Sequence, residues 1–300
     1  MSAGSGSFRE RMLAGAPIVL DGGLGTALMA KGLPRGMPPE AWNLERGDVV
    51  TAVHRAYVDA GSEAVHANTF GANPIRLAAF GLERECEKIN RVAVGLARAA
   101  MPRFVVGDVG PTGEYLPPVG KGDLARWREA FARQATALAD AGADALHIET
   151  MTDLREARTA LEVLLGEVPG IPVLVSMTFE RKKRGCFTIM GDPLVGSLRT
   201  LVSDGAAAVG ANCSITSLEM STLMDEALRA VEAPLVAQPN AGTPEVGSDG
   251  ALQYRQSPDD FAADMAALAE RGVRLVGGCC GTDDRFIAAL CGRLRAGVGA

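Results

Sequence analysis

The sequence predicts an α/β chain folded as a single closed (β/α)8 barrel, the TIM-barrel architecture, over residues 17–300, with residues 1–16 as an N-terminal extension. Three observations lead there. From residue 17 onward, short apolar runs of β type alternate eight times with longer runs of helical period, and such alternation demands parallel strands joined by helical crossovers. Ala60-Gly61, Ala141-Gly142 and Arg271-Gly272 each stand just before a predicted strand, where a helix commonly ends on a left-handed glycine. Unusual polar residues collect at the carboxyl ends of the predicted strands, the face on which such barrels carry their active sites.

The first predicted strand, Ile18–Asp21, runs into Asp21-Gly22-Gly23, and a loop containing Met37-Pro38-Pro39 leads to helix Asp48–Ala60. The second, Ala64–Asn68, ends at Asn68-Thr69 before helix Glu83–Ala100. The third, Phe104–Asp108, ends on an aspartate before helix Leu124–Ala141. The fourth, Ala145–Glu149, ends at Glu149-Thr150 before helix Leu154–Leu165. The fifth, Val173–Met177, precedes helix Pro193–Ser203, and the sixth, Ala208–Asn212, ends at Asn212-Cys213 before helix Leu218–Ala230. The seventh, Leu235–Gln238, ends at Gln238-Pro239-Asn240, followed by a loop insertion at Gly242–Gln253 and helix Pro258–Arg271. The eighth, Arg274–Gly278, ends at Cys279-Cys280, and helix Asp284–Arg295 closes the chain.

A hydrophobic fraction of 47% with 22% charged residues is that of a globular protein with a sizeable core. The net charge of −6 is offset by no basic cluster larger than Arg181-Lys182-Lys183-Arg184, which reads as a solvated loop, so nucleic acid and anionic membranes are not expected partners. No apolar run approaches the ~18–20 residues needed to cross a bilayer, and the small, polar start Met1–Gly6 is not followed by an apolar signal segment. A cytoplasmic location is expected. In that reducing compartment the six cysteines are free, metal-bound or catalytic rather than paired.

Chemistry concentrates in Gly277-Gly278-Cys279-Cys280-Gly281-Thr282. Neighbouring side chains on a strand point to opposite faces, so two adjacent thiols turn to one centre only where the backbone bends, and the flanking glycines permit that bend. Two buried cysteines acting as small apolar residues is the competing reading. The sixth and eighth strands flank the seventh in a closed barrel, which brings Cys213 within reach of the pair. Three thiolates at a barrel mouth favour Zn²⁺ with one position open, a site of formal charge +2 − 3 = −1 that suits holding a substrate sulfur as a reactive thiolate. A free thiol of pKa ~8.5 is mostly protonated at neutral pH and gains nucleophilicity on metal binding. The expected reaction is alkyl transfer to a thiol.

These residues, with Asp21-Gly22-Gly23-Leu24-Gly25-Thr26, Asn68-Thr69-Phe70-Gly71-Ala72, Gly107-Asp108-Val109-Gly110-Pro111-Thr112-Gly113, Glu149-Thr150, Gly210-Ala211-Asn212-Cys213 and Gln238-Pro239-Asn240-Ala241-Gly242, run in order over roughly residues 17–295. Together they resemble the homocysteine S-methyltransferase family, and within it the homocysteine-binding barrel of cobalamin-dependent methionine synthase. The resemblance implies that Cys213, Cys279 and Cys280 bind Zn²⁺, that Asp21 and Glu149 hold the ammonium of L-homocysteine, and that backbone N–H groups around Gly22 and Gly23 receive its carboxylate. It implies methionine as the product.

Asn212, Asn240 and Thr69 line the pocket or fix loop hydrogen bonds, with Asn212 the strongest substrate-side candidate. Asp108 shapes the donor side. His54, His66 and His147 read as packed or rim histidines, and Cys86, Cys186 and Cys291 as ordinary thiols. An aromatic fraction of 5%, with Gly71 and Met37-Pro38-Pro39 in place of ring-bearing positions, argues against a quaternary ammonium donor such as betaine. A methyl-corrinoid on a separate corrinoid protein, S-methylmethionine and S-adenosylmethionine stand as the expected donors. Two further readings are a methyltransferase acting on another thiol and a non-catalytic zinc- or thiol-binding barrel.

Overall fold

The computed structural model describes residues 6–247 and 252–297. All eight expected strands form one parallel sheet: Ile18–Val19, Ala64–His66, Phe104–Val109, Ala145–Met151, Val173–Met177, Ala208–Thr216, Leu235–Asn240 and Leu275–Val276. The first strand pairs with the eighth in the register Ile18 to Leu275, which brings the two ends of the chain together. The seam between the first two strands is carried by Glu63, whose N–H donates to the Val19 carbonyl at 2.8 Å. A barrel wound from parallel strands results, with its helices outside.

Those helices bury one face each, as their apolar spacing requires. Helix Leu124–Asp140 inserts Trp127, Phe131 and Leu138 against the sheet, and helix Pro258–Glu270 inserts Phe261, Met265 and Leu268. Gly61, Gly142 and Gly272 have φ of 115°, 86° and 110°, the left-handed caps expected before three of the strands. None of the described helices is long and apolar enough to cross a membrane.

The N-terminal segment has a structural task that its sequence does not advertise. Helix Phe8–Leu13 opens with a capping box between Ser7 and Glu10, and it seats Phe8 and Met12 among Ile18, Leu20, Val106 and Leu275 at the amino end of the barrel. The Phe8 and Phe104 rings meet edge to face at 5.3 Å, and Arg11 pairs with Glu63 at 2.7 Å. This plug closes the bottom, leaving the carboxyl face as the open end. Residues 1–5 of the extension lie outside the described residues, as do 248–251 of the loop insertion expected at 242–253 and the last three residues of the barrel segment expected to run to 300.

Two hairpins stand on the carboxyl face. Glu180–Lys182 pairs with Gly185–Phe187, presenting Arg181, Lys182, Lys183 and Arg184 to solvent, and Glu245–Val246 pairs with Leu252–Gln253. Neither is visible as a periodic pattern, because each strand is only two or three residues long.

Candidate active site

The carboxyl face opens into a cavity of about 370 Å³. Its cysteine side is built by two strand ends meeting across the seventh strand. The register between the sixth and seventh strands slips between Asn212 and Thr216, and there Cys213 and Ser214 take φ of 61° and 57°. Such backbone costs of order 1–3 kcal/mol per residue and persists only where its surroundings impose it. It accompanies the placement of the Cys213 sulfur 4.0 Å from Cys280 Sγ, and all three sulfurs, Cys279 included, lie within 4.8 Å of one another. Three sulfurs around a tetrahedral zinc with bonds of ~2.3 Å are roughly 3.8 Å apart, so the spacing and the soft donor set fit such an ion.

The loop carrying Cys279 and Cys280 is pinned to the first strand. Thr282 Oγ1 donates to the Cys279 carbonyl at 2.7 Å, and Gly23 N–H donates to the Thr282 carbonyl at 3.0 Å and to its Oγ1 at 3.1 Å. A Cβ on Gly23 would run into the Cys279 carbonyl, and one on Gly278 into the Thr282 side chain, so glycine is required at both contacts. The Gly23 N–H thus already has acceptors, against the expectation that it receives a substrate carboxylate. Gly22 lines the cavity together with Leu24 and Gly25.

The three thiols are coupled. Hydrogen bonds from Cys279 and Cys280 hold Cys213 as the anionic member, pushed down to about 3, with Asn240 also donating to it. The same contacts push Cys279 well above the ordinary thiol range and Cys280 up to about 12. Tyr254 hydrogen-bonds Cys280 from beyond the hairpin, a contact that no sequence pattern around it signals.

On the fourth strand, Glu149 and Thr150 occupy a second slip, between Ile148 and Met151, with Thr150 at φ 58°. Asn212 is fully buried and does not line the cavity. It clamps this bend, with Oδ1 accepting the Thr150 N–H at 2.8 Å and Nδ2 donating to Thr150 Oγ1 at 2.7 Å and to Glu149 Oε2 at 3.2 Å. Burial pushes Glu149 up to about 7; His66 opposes the rise, and Cys213 and Asp21 add to it.

Asp21 lies behind the cavity wall rather than in it, 1% exposed. Its Oδ2 accepts the His66 N–H at 2.8 Å and its Oδ1 meets His66 Nδ1 at 2.6 Å, so His66 is the residue of this pair that lines the cavity. Burial alone would favour neutral His66, but Asp21 overrides it and raises the pKa. His54, on helix Gly47–Ala60, is buried with neither ring nitrogen partnered and is pushed down to about 4, the packed neutral histidine expected.

Asp108 completes the acidic wall. It is 7% exposed, its Oδ1 has no partner, and burial with the nearby charges of Glu149, Asp21 and Glu40 raises its pKa well above the carboxylate range. The outer side is formed by Met37 to Glu40, Phe70 and Arg76, with Glu40 Oε1 accepting the Gly71 N–H at 2.5 Å. Thr69 is buried and binds the Asp108 carbonyl through Oγ1 at 2.7 Å. Among the described residues two clusters have metal-ligand spacing, the three cysteines and His66, His147 and Glu149.

Residues 18–294 match the homocysteine S-methyltransferase family. The methionine synthase of Mycobacterium tuberculosis is 32% identical over 289 residues, a match covering 90% of this chain and 24% of that protein, so the chain spans about a quarter of its relative's length. The homocysteine methyltransferase MmuM from Escherichia coli in its metallated form superposes with a TM-score of 0.77 at 27% identity, covering 92% of this chain and 96% of that one. Its oxidized form gives 0.80 at 27% identity, covering 95% and 99%. With the match extending through the first strand, both bulges and the double-cysteine loop, the chain belongs to the homocysteine S-methyltransferase family.

Proposed function

We propose that the protein is a zinc-dependent S-methyltransferase that binds homocysteine, activates its sulfur and yields methionine. The observation that carries this reading is the convergence of three sulfurs and a half-buried carboxylate, Glu149, on a single cavity in a chain of this family. Cys213, Cys279 and Cys280 would hold the ion, which supplies an open position where the substrate sulfur is kept as a thiolate at neutral pH.

The chain's own residues orient the rest of the substrate. Glu149, aimed by Asn212, accepts the ammonium, and Asp21 adds negative charge from behind His66. Gly22 offers its N–H to the carboxylate, with those of Leu24 and Gly25 beside it; a side chain at Gly22 would run into Thr282 and Tyr57, so glycine lets this turn pack against them at the cavity wall. These contacts fix the amino acid by its two charged ends, leaving the sulfur as the only free reacting group. The donor enters from the outer side, past Met37, Phe70 and Arg76, and its methyl passes in line to the sulfur with no covalent intermediate on the protein.

The test is methionine formation from L-homocysteine by zinc-loaded protein, with S-methylmethionine, S-adenosylmethionine and a methyl-corrinoid protein offered in parallel and zinc measured on the same sample. Turnover with any one of them supports the reading and identifies the donor. Failure to load zinc sinks it.

A further inference from the structure

The outer side of the cavity carries one guanidinium. Arg76 sits on the short helix Pro74–Ala78, where Asn73 Oδ1 accepts its backbone N–H at 3.0 Å, and its half-buried side chain lines the cavity with Phe70 and Phe80. The guanidinium carbon lies 5.9 Å from the centre of the Phe70 ring, and a Cβ on Gly113 would stand 3.3 Å from Nη1. The ring and the glycine turn, at φ 81°, therefore hold the group in place. No other lysine or arginine among the described residues lines this cavity.

This cation has no partner of its own. Among the described residues its guanidinium makes no hydrogen bond and no ion pair within 4.0 Å. The two acids that feel its charge, Glu40 and Glu156, are both buried and committed elsewhere. Glu156 accepts the Thr112 N–H and Oγ1 at 2.6 Å each, and Glu40 accepts the Gly71 N–H at 2.5 Å. Where an arginine and a glutamate of this chain are free to close, they do so, as Arg133 and Glu87 show at 2.7 Å. Arg76 and Glu40 line one cavity and stay apart, and Asp108, whose Oδ1 is unpartnered, lines it with them.

A molecule that complements this wall turns a cationic centre to the acids and a carboxylate to Arg76, whose planar fork takes a carboxylate in two parallel hydrogen bonds. Size narrows it further. The cavity of about 370 Å³ lies near the lower end of the ~300–1,000 Å³ usual for ligand sites and has to hold homocysteine as well, which leaves room for a second molecule of amino-acid size.

We propose that Arg76 selects the methyl donor by receiving its carboxylate, and that the donor is an amino-acid sulfonium such as S-methyl-L-methionine. This rests on the methyltransferase reading above and adds the class of donor. The homocysteine thiolate, its proton already lost to solvent, forms a bond to the methyl carbon as the sulfonium carbon–sulfur bond breaks. The electron pair of that bond stays on the departing sulfur, so an anion and a cation become two neutral thioethers. With S-methylmethionine both are methionine.

The experiment compares wild type, Arg76→Gln and Arg76→Lys as zinc-loaded full chains with L-homocysteine, using S-methyl-L-methionine and its decarboxylated analogue as donors. In wild type, KM for S-methylmethionine is expected to be at least tenfold below that for the analogue. Arg76→Gln should raise KM for S-methylmethionine at least tenfold and leave KM for homocysteine and for the analogue unchanged, while Arg76→Lys restores part of the loss. Equal KM for the two donors in wild type, an unchanged KM for S-methylmethionine in Arg76→Gln, or turnover with a methyl-corrinoid protein alone overturns the proposal. Calorimetric titration of S-methylmethionine into the metal-stripped chain reads the subsite without turnover. Affinity should fall at least tenfold in Arg76→Gln and hold in Glu149→Gln. No binding to wild type, or the reverse pattern in the variants, overturns the proposal. Absence of methionine from every donor would count against the methyltransferase reading, with the titration still deciding the role of Arg76.

Discussion

Asn212 Nδ2 donates to Glu149 Oε2 at 3.2 Å, joining the residue before a metal-spaced cysteine to a carboxylate that lines the cavity. The contact couples two bulges. Asn212 precedes the slip in the sixth strand and Glu149 sits in the slip of the fourth, so one amide sets both strand ends at once.

Replacing Asn212 by Ala should therefore disturb substrate binding more than metal binding. It removes three hydrogen bonds at buried groups, of which the one to a carboxylate contributes ~1.5–3 kcal/mol. KM for homocysteine is expected to rise by one to two orders of magnitude, by the conversion of ~1.4 kcal/mol per tenfold, with metal content retained. Steady-state kinetics beside metal analysis separates the two. A loss of metal with unchanged KM would contradict the clamp.

Cys280→Ala should abolish metal retention at the cysteine cluster and methyl transfer together while leaving the fold intact. Cys280 is only half-buried at the rim, so its truncation creates no core cavity. Thermal unfolding of the metal-free wild type and variant should coincide within a few degrees. Full activity in a variant without metal at that cluster would end the thiolate mechanism.

Gly23→Ala reaches the same cysteines without touching a ligand. The added methyl meets the Cys279 carbonyl, and the loop must move because the obstacle is backbone. Metal affinity should fall at least tenfold, measured by competition with a chromophoric chelator. Wild-type affinity would show that the contact between the two loops does not position the sulfurs.

The pH dependence of homocysteine binding follows from Glu149. Its pKa is raised to about 7, chiefly by burial, so the proton is held more tightly in the folded protein than in the unfolded chain. Ionised Glu149 lowers folded-state stability as pH climbs from the ordinary carboxylate range through about 7, and it is this ionised form that an ammonium needs. Homocysteine affinity should strengthen as pH rises through about 7 and weaken by up to ~tenfold per unit below it. In Glu149→Gln that limb should vanish, leaving weak binding at every pH. A limb that survives the substitution belongs to another group.

Phe8→Ala should destabilise the barrel without touching catalysis. Phe8 is 1% exposed and packs on Phe104 at the end opposite the cavity, and emptying such a site costs about 3–5 kcal/mol. Denaturant unfolding should show that loss with kcat unchanged below the transition. A cost near zero would mean the N-terminal helix is dispensable.

The sequence by itself determined the repeat of strands and helices and the position of the rim. Both follow from local rules: apolar period, left-handed glycine caps at 61, 142 and 272, and polar residues where strands stop. The double-cysteine loop was legible because its glycines and thiols are adjacent in the chain. Tertiary structure decided which residues face the cavity. The slips at 148–151 and 212–216 reverse side-chain direction within one or two residues, which strand periodicity cannot encode, and they aim Glu149 and Cys213 while leaving Asn212 buried. Barrel closure put His66 in front of Asp21 and brought His147 to meet it from two strands away. The same closure gave Phe8 its pocket, since that pocket exists only once residues between Ile18 and Leu275 have gathered at one end. Contacts of such long sequence separation are fixed by register and closure, and no local pattern carries them.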